Sequence, residues 1–155
     1  MRILKKNKII YTDLDESLLK DNTFYPSVLK KFLKKLFSKS FLIVIMTSKT
    51  YKEVINLYKR EKIKFPFSSE NGACFYIPKF KNTNNLFFKK FINKKAVNSE
   101  VIKNILINLP FRFQKEFKFI NELTEEEQVN ITKLKKNQLK EFQKREYSVS
   151  LKWLG

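Results

Sequence analysis

Apolar residues in the first half of the chain change period in a regular order. Lys8 to Thr12 is a short apolar run ending in polar residues and predicts a first buried strand. After the loop at 20–22, Pro26 and Ser27 open a helix. Its apolar positions Val28, Leu29, Phe32, Leu33, Leu36 and Phe37 follow a 3.6-residue period. Phe41 to Met46 is apolar throughout and rich in β-branched residues, which predicts a central parallel strand covered on both faces. Thr50 and Glu53 are spaced as a capping box, with Val54, Leu57 and Tyr58 on one helical face. Two further short strands are expected at 65–69 and 73–77, joined through Asn71-Gly72. Strand, helix, strand, helix, strand is the pattern of a doubly wound α/β unit.

The second half reads differently. Pro78 to Asn85 has the composition of a boundary. Ser99 to Leu109 predicts a helix stopped by Pro110, Thr124 to Glu127 offers a second capping box, and Asn137 to Glu146 predicts another helix. Tyr147 to Trp153 alternates and predicts a strand. The expected organisation is a core over residues 1–80 followed by an α+β segment over 86–155, with no internal repeat.

Composition narrows the chemistry. At 155 residues, 43% hydrophobic and with 16 Phe, the chain can build a packed core, which excludes disorder from low hydrophobicity. Histidine is absent, which removes Ser-His, Cys-His and His-metal schemes together. The lone cysteine, Cys74, cannot close an internal disulfide and fits a reducing compartment. The longest apolar run is strand-sized and no signal-peptide pattern opens the chain, so a cytoplasmic protein without a membrane partner is expected. The net charge is +18, and among the 33 basic residues only Arg2, Arg60, Arg112 and Arg145 are arginine. Reading base edges or clamping phosphate favours arginine's planar fork. A specific nucleic-acid partner is therefore not expected; solvated lysine faces are, and their positive field would draw in a phosphorylated small molecule.

Aspartate is scarce: Asp13, Asp15 and Asp21 are the only three. Asp13 and Asp15 follow the first strand, where open α/β sheets bind ligands, and in an extended segment they point the same way. Such a pair suits phosphoryl transfer through an aspartyl-phosphate, one carboxylate attacking phosphorus and the other exchanging protons with the leaving oxygen and then with water. A solvated turn is the simpler reading of the pair taken alone. The second strand, however, ends in Thr47-Ser48-Lys49-Thr50, whose hydroxyls, backbone N–H groups and lysine at a helix start suit a phosphate cradle.

Several motifs together resemble one family. Thr12 to Leu19, Thr47 to Val54, Pro66-Phe67, Glu70 to Ala73 before Ile77-Pro78, Thr124 to Glu127 and Arg145 to Ser148 resemble the amino-terminal portion of the mannosyl-3-phosphoglycerate phosphatase family. That family belongs to the haloacid dehalogenase-like hydrolases. The resemblance implies a Rossmann-like core, with a partial parallel sheet and flanking helices, plus an incomplete α+β cap. It implies Asp13 as nucleophile and Asp15 as general acid/base, with the Asp13 carboxylate and the Asp15 carbonyl ligating Mg²⁺. Thr47 and Ser48 would bind phosphate. Lys49, Glu70, Asn71 and Gly72 would border a small phosphorylated sugar-acid, and Arg145 would clamp its anion.

Two departures qualify that expectation. Glu16 stands where the family has a glycine, which predicts a strained loop. Family members also run further, to a phosphate-neutralising lysine and an acidic carboxy-terminal motif, whereas no Asp follows Asp21 here. A truncated chain of low activity is expected, with weakly held Mg²⁺ and an unpaired cap edge at residues 148–155 open to self-association or to a complementing chain. A non-catalytic remnant or split-enzyme subunit that binds a phosphorylated sugar is the alternative. A basic nucleic-acid module rests on charge alone.

Overall fold

In the computed structural model, residues 8–20, 23–24, 27–39, 41–79 and 87–155 are described. The elements in chain order are β1 (Lys8–Asp13), β2 (Leu19–Lys20), β3 (Thr23–Phe24), α1 (Ser27–Ser38), β4 (Phe41–Met46), α2 (Tyr51–Glu61), β5 (Phe67–Ser69), β6 (Cys74–Lys79) and β7 (Phe87–Ile92). They continue with α3 (Ser99–Ile107), α4 (Phe111–Gln114), β8 (Phe117–Phe119), α5 (Glu125–Thr132), α6 (Lys136–Phe142) and β9 (Leu151–Trp153). Single 3-10 turns lie at Glu70–Gly72 and Ile120–Glu122.

One five-stranded sheet runs β1-β4-β5-β6-β7, parallel through β1, β4 and β5 and antiparallel beyond. This is the expected α/β fold. β2 pairs with β3 in a small hairpin, and β8 with β9 in a second. The main core forms where one sheet face meets the two long helices: Ile43, Ile45 and Phe67 pack with Leu33 of α1 and with Val54 and Tyr58 of α2. Aromatic rings thicken this layer, with Tyr51 4.6 Å from Tyr76 and Phe67 5.3 Å from Phe88. The capping box of α2 forms as its spacing predicts: the Glu53 amide donates to Thr50 Oγ1 at 3.3 Å and the Thr50 amide to Glu53 Oε2 at 2.8 Å. The box on α5 closes the same way between Thr124 and Glu127.

Several expectations are corrected. β1 is an edge strand, and Ile9 and Tyr11 are 50% and 65% exposed, because among the described residues it pairs only with β4. Phe32, expected on the buried stripe of α1, is exposed, while Leu33 faces the core. The side chains of Val28, Leu29 and Phe37, and Pro26 as a helix start, lie outside the described residues. So does most of the expected boundary at 78–85. Residues 87–92, placed with the cap by sequence, extend the main sheet: Phe88 packs under the core aromatics and the strand pairs with β6 along six residues. α6 ends at Phe142, short of Glu146. The strand expected from Tyr147 is confined to β9, and β9 pairs with β8, so residues 151–153 are not an unpaired edge throughout.

Candidate functional site

β1 and β4 run parallel in register, which sets Asp13 beside Met46 and brings their carboxyl ends to one end of the sheet. Beyond β1 the chain turns sharply. The Leu18 and Leu19 amides both donate to the Leu14 carbonyl, at 3.0 and 2.8 Å, and Leu14 is fully buried. A buried leucine between the two aspartates anchors the loop, and both aspartates line one cleft. Glu16 sits within this turn at φ 55°, the left-handed region that costs a residue with a Cβ roughly 1–2 kcal/mol. The backbone keeps its left-handed turn although the Glu16 side chain disfavours it.

The neighbouring loop is built from backbone donors and one hydroxyl. The Thr47 amide donates to the Ser68 carbonyl at 3.2 Å, the Asn71 amide to the Thr47 carbonyl at 3.1 Å, and the Lys49 amide to Thr47 Oγ1 at 3.1 Å. Thr47 is buried and Ser48 is exposed. An open cleft of about 450 Å³ is lined by Asp13, Asp15, Met46, Thr47, Ser48, Asn71 and Gly72. A second opening of about 400 Å³ shares Ser48 and Asn71 and continues between the core and the cap, past Lys49, Phe142, Arg145 and Ser148. Gly72 lies at φ 93° and closes the turn that delivers Asn71 to both openings.

Three residues expected at this site have other partners. Lys49 Nζ lies 2.9 Å from Asp15 Oδ1, so it contacts an acidic member of the pair and only borders the second opening. Glu70 is 5% exposed and its carboxylate is taken by the returning cap segment: it accepts from the Glu146 amide at 3.2 Å, the Tyr147 amide at 2.9 Å and Ser148 Oγ at 2.8 Å. Glu70 is therefore a clasp between core and cap, held at φ 47°, and lines neither opening. Arg145 Nη1 donates to the Ser48 carbonyl and to Ser148 Oγ, both at 3.0 Å, and its guanidinium stacks 4.5 Å from the Phe142 ring centre. Burial lowers the Arg145 pKa, while Glu53 and Glu70 act the other way. Its Nε is buried with no partner among the described residues.

Sequence reasoning missed the ties from α6 and its following loop. Thr50 Oγ1 donates to the Glu141 carbonyl at 3.0 Å, so the N-cap of α2 also seats the cap. No local motif signals a bond across ninety residues.

A Mg²⁺ ion finds only part of a site. The Asp13 carboxylate and the Asp15 carbonyl are two oxygens, one Asp15 carboxylate oxygen contacts Lys49, and no group of three or more metal-binding side chains occurs among the described residues. Octahedral Mg²⁺ takes six oxygens and commonly keeps several of them as water, so these residues would supply only part of its shell.

Comparison with known proteins agrees with the fold. Residues 10–152 match the family described as haloacid dehalogenase-like hydrolase. The chain is 31% identical over 150 residues to a mannosyl-3-phosphoglycerate phosphatase of Pyrococcus furiosus, covering 93% of this chain and 60% of that one. It is 41% identical over 73 residues to a glucosyl-3-phosphoglycerate/mannosyl-3-phosphoglycerate phosphatase of Persephonella marina, covering 46% and 26%. The chain thus spans 60% or less of the length of these curated relatives. Among solved structures, a haloacid dehalogenase-like hydrolase from B. subtilis aligns with TM-score 0.52 at 19% identity, covering 67% of this chain and 32% of that one. A Thermotoga maritima protein aligns with TM-score 0.50 at 18% identity, covering 83% and 47%.

Proposed function

Because the chain belongs to the haloacid dehalogenase-like hydrolase family, we propose that it carries the phosphoryl-transfer half of a phosphomonoester hydrolase of the mannosyl-3-phosphoglycerate type. The observation that carries this reading is the single cleft that gathers Asp13, Asp15, Thr47 and Ser48 at the carboxyl ends of two parallel strands.

In the proposed reaction an Asp13 carboxylate oxygen forms a bond to phosphorus while the ester oxygen leaves, taking a proton from Asp15. Water then attacks phosphorus, gives its proton to Asp15 and releases Asp13 with inorganic phosphate. Lys49 contacts Oδ1 of Asp15, which leaves Oδ2 for the proton exchange. Thr47 and the exposed Ser48 would meet the phosphoryl oxygens, and Asn71 and Gly72 would flank them. A small sugar-acid would extend into the opening between core and cap, past Lys49. In this reading Arg145 acts by holding the Ser48 carbonyl, and Glu70 by holding the cap.

Mg²⁺ belongs to the proposal as an ion these residues bind weakly, since they offer it two oxygens; no step is assigned to it. When bound, it would offset the repulsion between the Asp13 carboxylate and a phosphate dianion. The core at 1–80, extended by β7, and the cap from Ser99 onward are proposed as the two functional units. A cytoplasmic location is proposed; among the described residues no helix is long and apolar enough to cross a membrane. A complementing chain is part of the same proposal.

The test is turnover of p-nitrophenyl phosphate and mannosyl-3-phosphoglycerate with and without Mg²⁺. Slow hydrolysis abolished by Asp13→Asn is expected; hydrolysis that survives Asp13→Asn overturns the assignment. The partial Mg²⁺ shell favours a second reading, a phosphorylated-sugar binder without turnover. Calorimetric binding of mannosyl-3-phosphoglycerate in the absence of any hydrolysis would select it.

A further inference from the structure

Three consecutive residues beside the cleft hold a left-handed backbone: Glu70, Asn71 and Gly72 stand at φ 47°, 58° and 93°. Lys62 and Lys133 share that conformation as the C-caps of α2 and α5, where a helix end calls for it. Glu16 is a single residue in a turn, and among the described residues no other run of three occurs. Only Gly72 is at ease there, because a Cβ at 70 or at 71 crowds the carbonyl that follows. Such a conformation persists where its surroundings over-determine it.

Here the surroundings act from three sides. The core holds the backbone: the Glu70 amide donates to the Lys49 carbonyl at 3.0 Å and the Asn71 amide to the Thr47 carbonyl at 3.1 Å. The end of β7 holds the exit, with the Asn93 amide on the Ala73 carbonyl at 2.9 Å. The cap holds the Glu70 carboxylate through the Glu146 and Tyr147 amides and Ser148 Oγ. Ser148 Oγ also accepts from Arg145 Nη1, which reaches on to the Ser48 carbonyl. One short cap segment therefore grips both loops of the cleft, the one with Ser48 and the one with Asn71.

The backbone that aims the buried Glu70 carboxylate at the cap also sets the exposed Asn71 along both openings. If residues 146–148 leave, the left-handed pair loses three bonds that offset its cost. Relaxation of the pair would then carry Asn71 away from the openings.

We propose that Glu70 is a positioning residue that couples the cap to the cleft. Residues 146–148, docked on its carboxylate, hold the turn that presents Asn71, so a ligand against Asn71 and the docked segment stabilise each other. The identity of that ligand rests on the phosphoryl-transfer reading of the cleft; the coupling between turn and segment does not.

The test reads turn and segment separately by nuclear magnetic resonance. The HN–Hα coupling and carbon shifts of Asn71 report its φ, and exchange of the Glu146 and Tyr147 amides reports docking. Glu70→Ala should move Asn71 out of the left-handed region although residue 71 is untouched. Ser148→Ala, which removes one donor of three, should do so in part. In the other direction, Asn71→Val puts a β-branched side chain at a left-handed position and should speed exchange of both amides about fivefold or more. Added mannosyl-3-phosphoglycerate should slow that exchange in the parent, and Glu70→Ala should weaken its calorimetric binding by a similar factor. Should Glu70→Ala fail to fold, Ser148→Ala and Asn71→Val decide, since both keep the carboxylate. The proposal is overturned if Asn71 keeps its left-handed φ while the two amides exchange freely. Unchanged exchange in Asn71→Val, or a bound ligand that leaves exchange unaltered, overturns it as well. A parent that binds no ligand while turn and segment still move together upholds the coupling and overturns the phosphoryl-transfer reading instead.

Discussion

The core and the cap are held together in different ways. In the core, Leu14, Ile43, Ile45, Val54, Tyr58 and Phe67 reach zero exposure, and rings and branched chains from three strands and two helices close over one another. The cap cluster is smaller, Ile120, Leu134, Leu139 and Phe142, and each of the four keeps between 3% and 8% of its surface. What the cap lacks in apolar burial it replaces with polar ties to the core: the Glu70 clasp, the Arg145 bond to Ser48, the Thr50 bond to Glu141 and the Lys90–Glu146 ion pair at 2.6 Å. The core resists opening through packing, and the cap keeps its place through a few directional bonds. The cap residues Ile120, Leu134 and Phe142, which line the second opening, are thus less deeply packed than the core cluster.

The largest expected effect tests that asymmetry directly. Phe67→Ala should destabilise the whole chain by about 3–5 kcal/mol, while Leu139→Ala should cost about 2 kcal/mol and act mostly on the cap. Urea denaturation with hydrogen exchange resolved by segment separates the two, and equal loss of protection in both regions after Leu139→Ala would erase the distinction. Next comes the clasp. Glu70→Ala strips the Glu146 and Tyr147 amides of their acceptor in a partly buried joint, a loss of about 1–2 kcal/mol. Those two amides should exchange faster while α2 stays protected, and Glu70→Gln should fall between the variant and the parent.

The elements legible in the sequence were those fixed by neighbours along the chain. The six apolar residues of β4 and the two capping boxes need only local spacing, and they formed where expected. Phe32 departs from the expected stripe because a 3.6-residue period does not say how much of a helix a single sheet face can cover. β7 carries no clear strand pattern, because paired lysines interrupt its apolar residues; its pairing with β6 makes it a strand. The positions of Asp13, Asp15, Thr47 and Ser48 around one cleft follow from the strand-then-loop pattern. The use of Glu70 does not, since its partners lie more than seventy residues away and its left-handed backbone is set by the fold.

Two smaller measurements refine the contrast. Glu16→Gly relieves a left-handed residue on the core side and should raise stability by about 1 kcal/mol, read as a shift of the urea midpoint at unchanged slope. On the cap side, the Thr124 amide and hydroxyl lower the Glu127 carboxyl below its ordinary 4.5. The bond therefore adds stability above that value, and the contribution is lost as pH falls through the lowered one. Thr124→Ala removes the hydroxyl but keeps the amide, so it should flatten the acid limb of cap melting only in part and leave the core unchanged.

The placement of the aromatic residues gives the two regions separate optical signatures. The only tryptophan is Trp153, 68% exposed on the cap hairpin, whereas Tyr51, Tyr58 and Tyr76 lie within the ring layer of the core. Emission excited at the red edge of indole absorbance follows one region. Near-ultraviolet dichroism of the immobilised phenols follows the other. A single unlabelled sample can therefore report whether cap and core come apart together or in sequence.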